Sequence, residues 1–545
     1  MTHKILRKAC GIQDKYLDIA SLILIIAYVT SLNFLAPYQF FGDCSVHVWI
    51  SKRIWDSGGI VSSFDFVVDP NGTKLPINYP LLFHTALALS NTASSNYALN
   101  FQVFIFTFSV AFSLAFYMLL RFLFDRKCAF ISLVVLLGSS QMFTLSIIVF
   151  MELFLFAFVL LGIFFLFNFL KSHDPKFLYL SAFFLGASIA TKQSALLVLI
   201  PLALWLILLK RNDLRKSIRL REILISLVLM ILVASPFLYH QISTTGTLTY
   251  PPERPMMGFI SQKIFHLIPR VAEDPRASEY ITVTTGTDNY VSWLLEDSKR
   301  INRLFYPFNL NDLDVTYVLF FVLFFMGAFF LIKNKKDFSI FYLLLVAVSI
   351  YFMLTEGANP RYYLLVFLLT IPFVSLSAEK AKGIHKIVPF LFIFSIVFSS
   401  AATFYDNAIH IDNISRAYME TGYFSPDYRY YSIQAYEELK ALQPRGLVLS
   451  GQWPETMLYG NVTATWISPF GGSEFIDLFS TTDFNLIESV VEKYNIQYVI
   501  ITRMDKRQTW YGPLREWEFY GLLEKELYGR KIYSNEWVAI YDVRA

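Results

Sequence analysis

Charged residues and cysteines are scarce in this 545-residue chain. Only 16% of the residues are charged and 55% are hydrophobic, a ratio that excludes an ordinary soluble enzyme. The three cysteines, Cys10, Cys44 and Cys128, lie far apart without a CxxC spacing, so they indicate neither a zinc site nor a disulfide framework. The formal net charge is only +4, and nothing supports nucleic-acid binding. The composition therefore indicates a membrane protein.

Long apolar runs fill much of residues 17–404. A membrane-spanning helix needs roughly 17 to 25 apolar residues, and two shorter runs, 177–190 and 194–209, are typical of a tight helical hairpin. We therefore predict a polytopic α-helical membrane protein with about 11 transmembrane helices in total. The longer spans are predicted at 17–37, 97–120, 128–147, 153–170, 222–241, 314–332, 338–354, 362–378 and 387–404.

Basic residues flank alternate ends of these runs, from Lys4 and Arg7 at the N-terminus to the Arg211–Arg221 stretch. The positive-inside rule makes that side, and with it the N-terminus, cytoplasmic. The apolar run Leu81–Ser90 is too short to span and is predicted as an interfacial helix. The predicted external loops are then 38–96 and 242–313, in a cell membrane or, in a eukaryote, the endoplasmic reticulum.

Residues 405–545 have the character of a soluble domain. Short β-branched runs predict strands at 446–450, 498–502 and 537–541, and helical spacing is found at 431–442 and 485–494. We therefore predict a transmembrane domain over 1–404, followed by a C-terminal extracytoplasmic α/β domain over 405–545.

Four charged residues stand at external ends of the predicted spans. Asp43 follows the first span, Glu152 opens the fourth, Lys192 lies at the hairpin tip and Arg361 begins the tenth. Charge at the membrane is costly, which favours a functional role. If the bundle closes, an acid can accept a proton from a hydroxyl while the cations stabilise a phosphate leaving group.

The first external loop adds further polar residues. His47 and His84 are candidates for substrate contact, with a satisfied interfacial histidine as the alternative. Asp65 and Asp69 are predicted as turn residues, because they lie in a stretch rich in Asp, Pro, Asn and Gly. For Glu152 the alternatives are metal ligation, acceptor binding and an interfacial role, and Lys192 and Arg361 can also be interfacial anchors.

The external side restricts the donor of any synthetic group transfer. Nucleotide sugars and ATP are cytoplasmic, so an external reaction needs an activated donor that crosses with the membrane. A polyprenyl-phosphate sugar meets this requirement, with its lipid tail along the spans and its phosphate at the rim.

These residues resemble the GT-C class of membrane glycosyltransferases, especially the protein O-mannosyltransferases and the lipid A aminoarabinose transferases. The resemblance rests on Asp43 with His47 four residues on, the Tyr79-Pro80-Leu81 turn, the Lys192 tip and the Pro360-Arg361-Tyr362 span start. It implies a GT-C transmembrane domain, a polyprenyl-phosphate monosaccharide donor and inversion at the anomeric carbon.

The resemblance also implies roles for the candidate residues. Asp43 is the expected catalytic base; Lys192, Arg361 and His84 are expected to bind the donor phosphate. Contact with the substrate is expected for His47, Tyr79, Glu152 and Tyr362. The acceptor stays open: it is a protein, a lipid or a glycan. No cofactor is certain, and a divalent metal stays open, with Asp43, Glu152 and His84 as its candidate ligands.

Two features depart from the pattern. The related transferases carry Asp-Glu at the loop start, whereas Cys44 follows Asp43 here. The chain also resembles the catalytic subunit of oligosaccharyltransferase, but Gly451-Gln452-Trp453-Pro454-Glu455 is not the Trp-Trp-Asp-Tyr-Gly signature.

Two alternatives remain, a transporter or flippase of a polyisoprenoid-linked substrate, and a catalytically inactive scaffold. A transporter is disfavoured because we find neither internal repeats nor paired broken helices.

Overall fold

The structure is a computed structural model. It describes residues 15–35, 43–67, 74–77, 80–92, 97–139, 142, 145–146, 151–209, 219–245, 314–334, 364–380, 428–465, 483–502, 521–522, 524–527, 530–535 and 537–544.

Apolar helices make up most of the described residues before 381. In chain order they are α1 (Lys15–Leu35), α2 (Asp43–Ser57), α3 (Leu82–Leu89), α4 (Tyr97–Leu123), α5 (Arg126–Leu137), α6 (Met151–Ser172), α7 (Pro175–Thr191), α8 (Leu196–Leu209), α9 (Leu220–Thr245), α10 (Asp314–Asn334) and α11 (Leu364–Lys380). A short hairpin of β1 (Ser63–Val67) and β2 (Lys74–Pro76) separates α2 from α3.

Within the described residues, three helical stretches are long and apolar enough to cross a membrane: Leu99–Leu123, Met151–Ser172 and Leu220–Thr244. Shorter apolar stretches lie in α1, α8, α10 and α11. Helices therefore occupy the predicted spans that fall on described residues, although α5 ends ten residues before the predicted limit of 147. The predicted spans 338–354 and 387–404 lie outside the described residues, and the total of about 11 stays a prediction.

Small residues bring the helices of the bundle close together. A Cβ placed on Gly186 of α7 would lie 2.7 Å from the Met230 carbonyl oxygen of α9, and one on Gly327 of α10 would overlap the Phe373 backbone of α11. Helices in a membrane approach this closely only where one of them carries a small residue. The short run that was predicted as interfacial is the eight-residue helix α3, roughly 12 Å long, which is too short to span.

A five-stranded sheet dominates the C-terminal part. The elements are α12 (Tyr428–Leu442), β3 (Leu447–Ser450), α13 (Trp453–Gly460), β4 (Ala464–Thr465), α14 (Phe484–Lys493), β5 (Ile496–Thr502), β6 (Lys531–Ser534) and β7 (Val538–Asp542). The strand order is β4-β3-β5-β7-β6. β3 is parallel to β4 and β5, whereas β7 is antiparallel to β5 and β6. The predicted strands and helices are confirmed here; the domain boundary at 405 and the side of the membrane stay predictions.

Helix α2 is buried between the bundle and this sheet. Cys44 and Val48 pack with α3, α4 and α6 in what we call the bundle-side cluster: Cys44, Val48, Phe83, Leu87, Phe101, Phe104, Ile105, Met151 and Phe154. Val46, Trp49 and Ile50 pack with the sheet and its helices in the sheet-side cluster, which includes Tyr436, Met457, Tyr498 and Ile540. Every residue from Cys44 to Ser51 is therefore buried.

Candidate active site

Asp43 is the first residue of α2. Cys44, directly after it, is fully buried in the bundle-side cluster, and Met151, directly before Glu152, belongs to the same cluster. The two predicted acids are therefore each one residue from a shared apolar contact region, although they are more than 100 positions apart in sequence. The structure describes the backbone of Asp43 within α2 but not its side chain.

Two histidines form a buried pair between α2, which carries His47, and α3, which carries His84. His47 Nδ1 and His84 Nε2 are 3.0 Å apart, and neither ring is exposed by more than 2%. Burial, and after it the neighbouring His47 ring, hold the pKa of His84 well below its usual value of 6.5. His84 is therefore neutral near pH 7, and in a neutral pair one imidazole donates an N–H while the other accepts it.

Glu152 and Lys192 form a buried ion pair. Glu152 lies in the first turn of α6, and Lys192 caps the C-terminal end of α7, the helix that packs back along α6. Lys192 Nζ donates to Glu152 Oε1 at 2.7 Å, and the two side chains are 12% and 4% exposed. A close, hydrogen-bonded pair is the arrangement in which charge is tolerated in a protein interior.

Aromatic rings extend from the imidazole pair to the first turn of α6, the turn that also contains Glu152. The ring centroid of Phe83 lies 5.7 Å from that of His47 and 5.6 Å from that of Phe154, which follows Glu152 by two residues in α6. Helix α3, which carries Phe83 and His84, also packs against α7. The two polar pairs thus lie at the same end of the bundle.

The remaining predicted residues divide into two groups. Tyr79, Arg361, Tyr362 and Asp69 lie outside the described residues, so their predicted positions stay predictions. Asp65 lies in strand β1, and its prediction as a turn residue is wrong. The turn composition that motivated it belongs to the following residues, while Asp65 itself continues the strand Ser63–Val67, which pairs with β2.

The described residues contain no group of three or more His, Cys, Asp or Glu side chains able to hold a metal ion. His84 and Glu152, two of the three candidate ligands, instead engage His47 and Lys192. The third candidate, Asp43, has no described side chain.

Sequence reasoning missed a second buried acid in this region, besides Glu152. Glu455 of α13 is 2% exposed, and α13 packs against α2. Leu458, one turn later, contacts both the bundle-side and the sheet-side clusters. The segment containing Glu455 had been considered only as a departure from a known signature, and nothing in its spacing points to α2.

Comparisons with known proteins agree with this architecture. The family model described as dolichyl-phosphate-mannose-protein mannosyltransferase matches residues 78–240, a segment that includes His84, Glu152 and Lys192. No curated protein sequence matches the chain significantly.

Solved structures match over most of the chain. The oligosaccharyltransferase AglB from Archaeoglobus fulgidus, in complex with an inhibitory peptide and a dolichol-phosphate, has a TM-score of 0.59 at 12% identity, over 90% of this chain and 70% of that one. ArnT from Cupriavidus metallidurans bound to undecaprenyl phosphate has a TM-score of 0.56 at 9% identity, over 96% of each chain. Both are GT-C glycosyltransferases. The predicted resemblance of this chain to the GT-C class of membrane glycosyltransferases is thereby confirmed, in its fold and in the segment that matches the mannosyltransferase family model.

Proposed function

We propose that this chain is an integral membrane glycosyltransferase that moves a monosaccharide, with inversion, from a polyprenyl-phosphate-linked donor to an acceptor hydroxyl on the extracytoplasmic side. The observation that carries the proposal is the buried Glu152–Lys192 pair, which lies at the same end of the bundle as the His47–His84 pair of the helix that begins at Asp43. The polyprenyl and dolichol phosphates bound to ArnT and AglB support the donor class.

Asp43 is the general base of the proposed reaction. Its carboxylate removes the proton of the acceptor hydroxyl as the hydroxyl oxygen attacks the anomeric carbon. The bond from that carbon to the phosphate oxygen breaks, and the phosphate leaves with the electron pair. Attack on the face opposite the phosphate inverts the anomeric configuration.

Cations stabilise the departing polyprenyl phosphate. Lys192 and Arg361 supply positive charge, and His84 contributes a neutral N–H donor. Glu152 keeps the Lys192 ammonium ion in place before the donor binds, since the two are joined at 2.7 Å. His47, Tyr79 and Tyr362 contact the sugar or the acceptor, which is a protein, lipid or glycan hydroxyl.

The proposed topology follows from the charge distribution of the chain. The N-terminus is cytoplasmic, and the transmembrane domain of residues 1–404 presents loops 38–96 and 242–313 on the outer side. The C-terminal domain of residues 405–545 lies on that side and assists acceptor binding. The apolar bundle and the sheet that packs on α2 support this division.

The test is transfer of radiolabelled sugar from polyprenyl-phosphate donors by the purified protein in lipid. We expect Asp43→Asn, which keeps the size but removes the base, to abolish transfer while retaining donor binding. Asp56→Asn is the matched control, because Asp56 is an exposed acid near the opposite end of the same helix.

Two results would contradict the proposal in different ways. Equal transfer by wild type and Asp43→Asn would remove Asp43 from the mechanism. Absence of transfer across a panel of donors and acceptors, together with movement of the polyprenyl phosphate between leaflets, would favour the transporter alternative.

A further inference from the structure

Helix α13 connects the C-terminal sheet to the helix that carries the proposed base. Met457 of α13 is buried with Val46, Trp49 and Ile50 of α2 in the sheet-side cluster. Leu458, the next residue, packs against that cluster and also against the bundle-side cluster. The side chain of Leu458, in the C-terminal part of the chain, therefore contacts both the bundle-side and the sheet-side cluster.

The position of α2 depends on these contacts. An isolated helix of 15 residues is only marginally stable in water, so tertiary packing has to hold α2 in place. Position 43 starts the helix, one turn before Val46 and His47. Any rotation or shift of the first turns of α2 would therefore move the start of the helix relative to the ion pair of Glu152 and Lys192.

The same junction contains a buried carboxylate. Glu455 lies one turn before Leu458 in α13 and is 2% exposed. A buried acid is uncommon in proteins, and this one lies in the helix that packs against α2. The junction is thus restrained by the packing of Met457 and Leu458, as expected of a contact that fixes geometry.

We propose that Leu458 is a positioning residue of the transfer reaction: by packing against both clusters that contain residues of α2, it holds the helix start at Asp43 in place relative to the Glu152–Lys192 pair. This proposal rests on the proposed function, in which Asp43 is the base. It assigns to the C-terminal part a role in the chemical step, beyond acceptor binding.

The test compares Leu458→Ala with Leu458→Met in the full-length protein. A base displaced by about 1 Å loses up to about a hundredfold in rate. We expect Leu458→Ala to lower kcat by tenfold or more, to leave the KM for the donor and the affinity for polyprenyl phosphate unchanged, and to raise amide hydrogen exchange in α2. Leu458→Met, which refills the space, is expected to restore most of the rate. Leu442→Ala is the matched control, because Leu442 is an exposed leucine of α12 in the same part.

The outcomes separate the two proposals. An active wild type in which Leu458→Ala changes neither kcat nor the exchange of α2 would overturn the positioning role alone. A parallel loss of donor affinity would also overturn it, because that pattern indicates general loosening of the site. A wild type that transfers from no donor would overturn the proposed function, and the positioning role with it, whatever the exchange of α2 shows.

Discussion

Ion pairs of similar composition lie at the two ends of α4 and differ chiefly in burial. Near the start of α4, Lys192 and Glu152 are 2.7 Å apart and 12% and 4% exposed. Near its end, Asp18 accepts from Arg121 at 3.2 Å and from Arg126 at 3.3 Å, with exposures between 27% and 41%. The exposed group can exchange its partners for water, whereas the buried pair cannot. The difference in burial therefore predicts very different consequences of mutation at the two ends.

Removal of Lys192 should have the largest effect. Lys192→Met leaves the Glu152 carboxylate buried without its cation, and breaking a buried pair in this way destabilises a protein by about 3–5 kcal/mol. We expect loss of sugar transfer and a matching drop in the free energy of unfolding, measured by denaturation in detergent. Lys176→Met is the control, since it removes an exposed lysine from the same helix α7.

A double variant separates stability from function at this pair. Lys192→Met combined with Glu152→Gln removes the unpaired charge, so most of the stability should return while transfer stays lost. If transfer returned as well, the proposed role of Lys192 at the donor phosphate would be wrong. If Lys192→Met alone left the free energy of unfolding unchanged, the prediction would be wrong, because the Glu152–Lys192 pair would then contribute no more than an exposed ion pair.

The imidazole pair should give an intermediate effect that depends on pH. The pKa of His84 is lower in the folded protein than in the unfolded chain, so the unfolded state binds more protons as the pH falls below about 6.5. The contribution of neutral His84 is therefore complete above that pH and declines below it, by at most about 1.4 kcal/mol per pH unit. Unfolding measured between pH 7.5 and 5 checks this slope.

Replacing His84 by Asn should flatten the pH dependence of the unfolding free energy. His173→Asn is a suitable control, because His173 is exposed and has a positive φ of 60°, which asparagine tolerates. If the pH dependence of the unfolding free energy persisted in His84→Asn but disappeared in His173→Asn, the prediction that His84 causes it would be wrong.

Features that depend on neighbouring residues could be predicted from the sequence, whereas contacts between distant residues could not. The spanning helices are long and uniformly apolar, and the strands β3, β5 and β7 are β-branched runs, so each could be recognised from its own residues. Glu152 and Lys192 could be placed at one end of the bundle from the charge distribution. Their direct pairing could not be predicted, because it depends on how α7 packs back along α6 across 40 positions.

Helix α2 shows the limit of such reasoning more clearly. Its stretch contains Lys52, Arg53 and Asp56 among apolar residues, and we predicted it as part of an external loop rather than as a helix. Two opposite faces are apolar because two partners cover them, the bundle and the C-terminal sheet. A helix buried on both sides lacks the single apolar stripe that identifies an amphipathic helix.

The smallest effect is expected at Asp18. Its bonds to Arg121 and Arg126 are partly exposed, and exposed ion pairs contribute about 0–1 kcal/mol. Asp18→Asn should therefore lower the free energy of unfolding by no more than about 1 kcal/mol, and salt should reduce the difference further, because exposed charges are screened. Sugar transfer should be unchanged, since Asp18 lies near the end of α4 opposite the proposed site. A loss comparable with that of Lys192→Met would mean that burial does not govern the difference between the two ends.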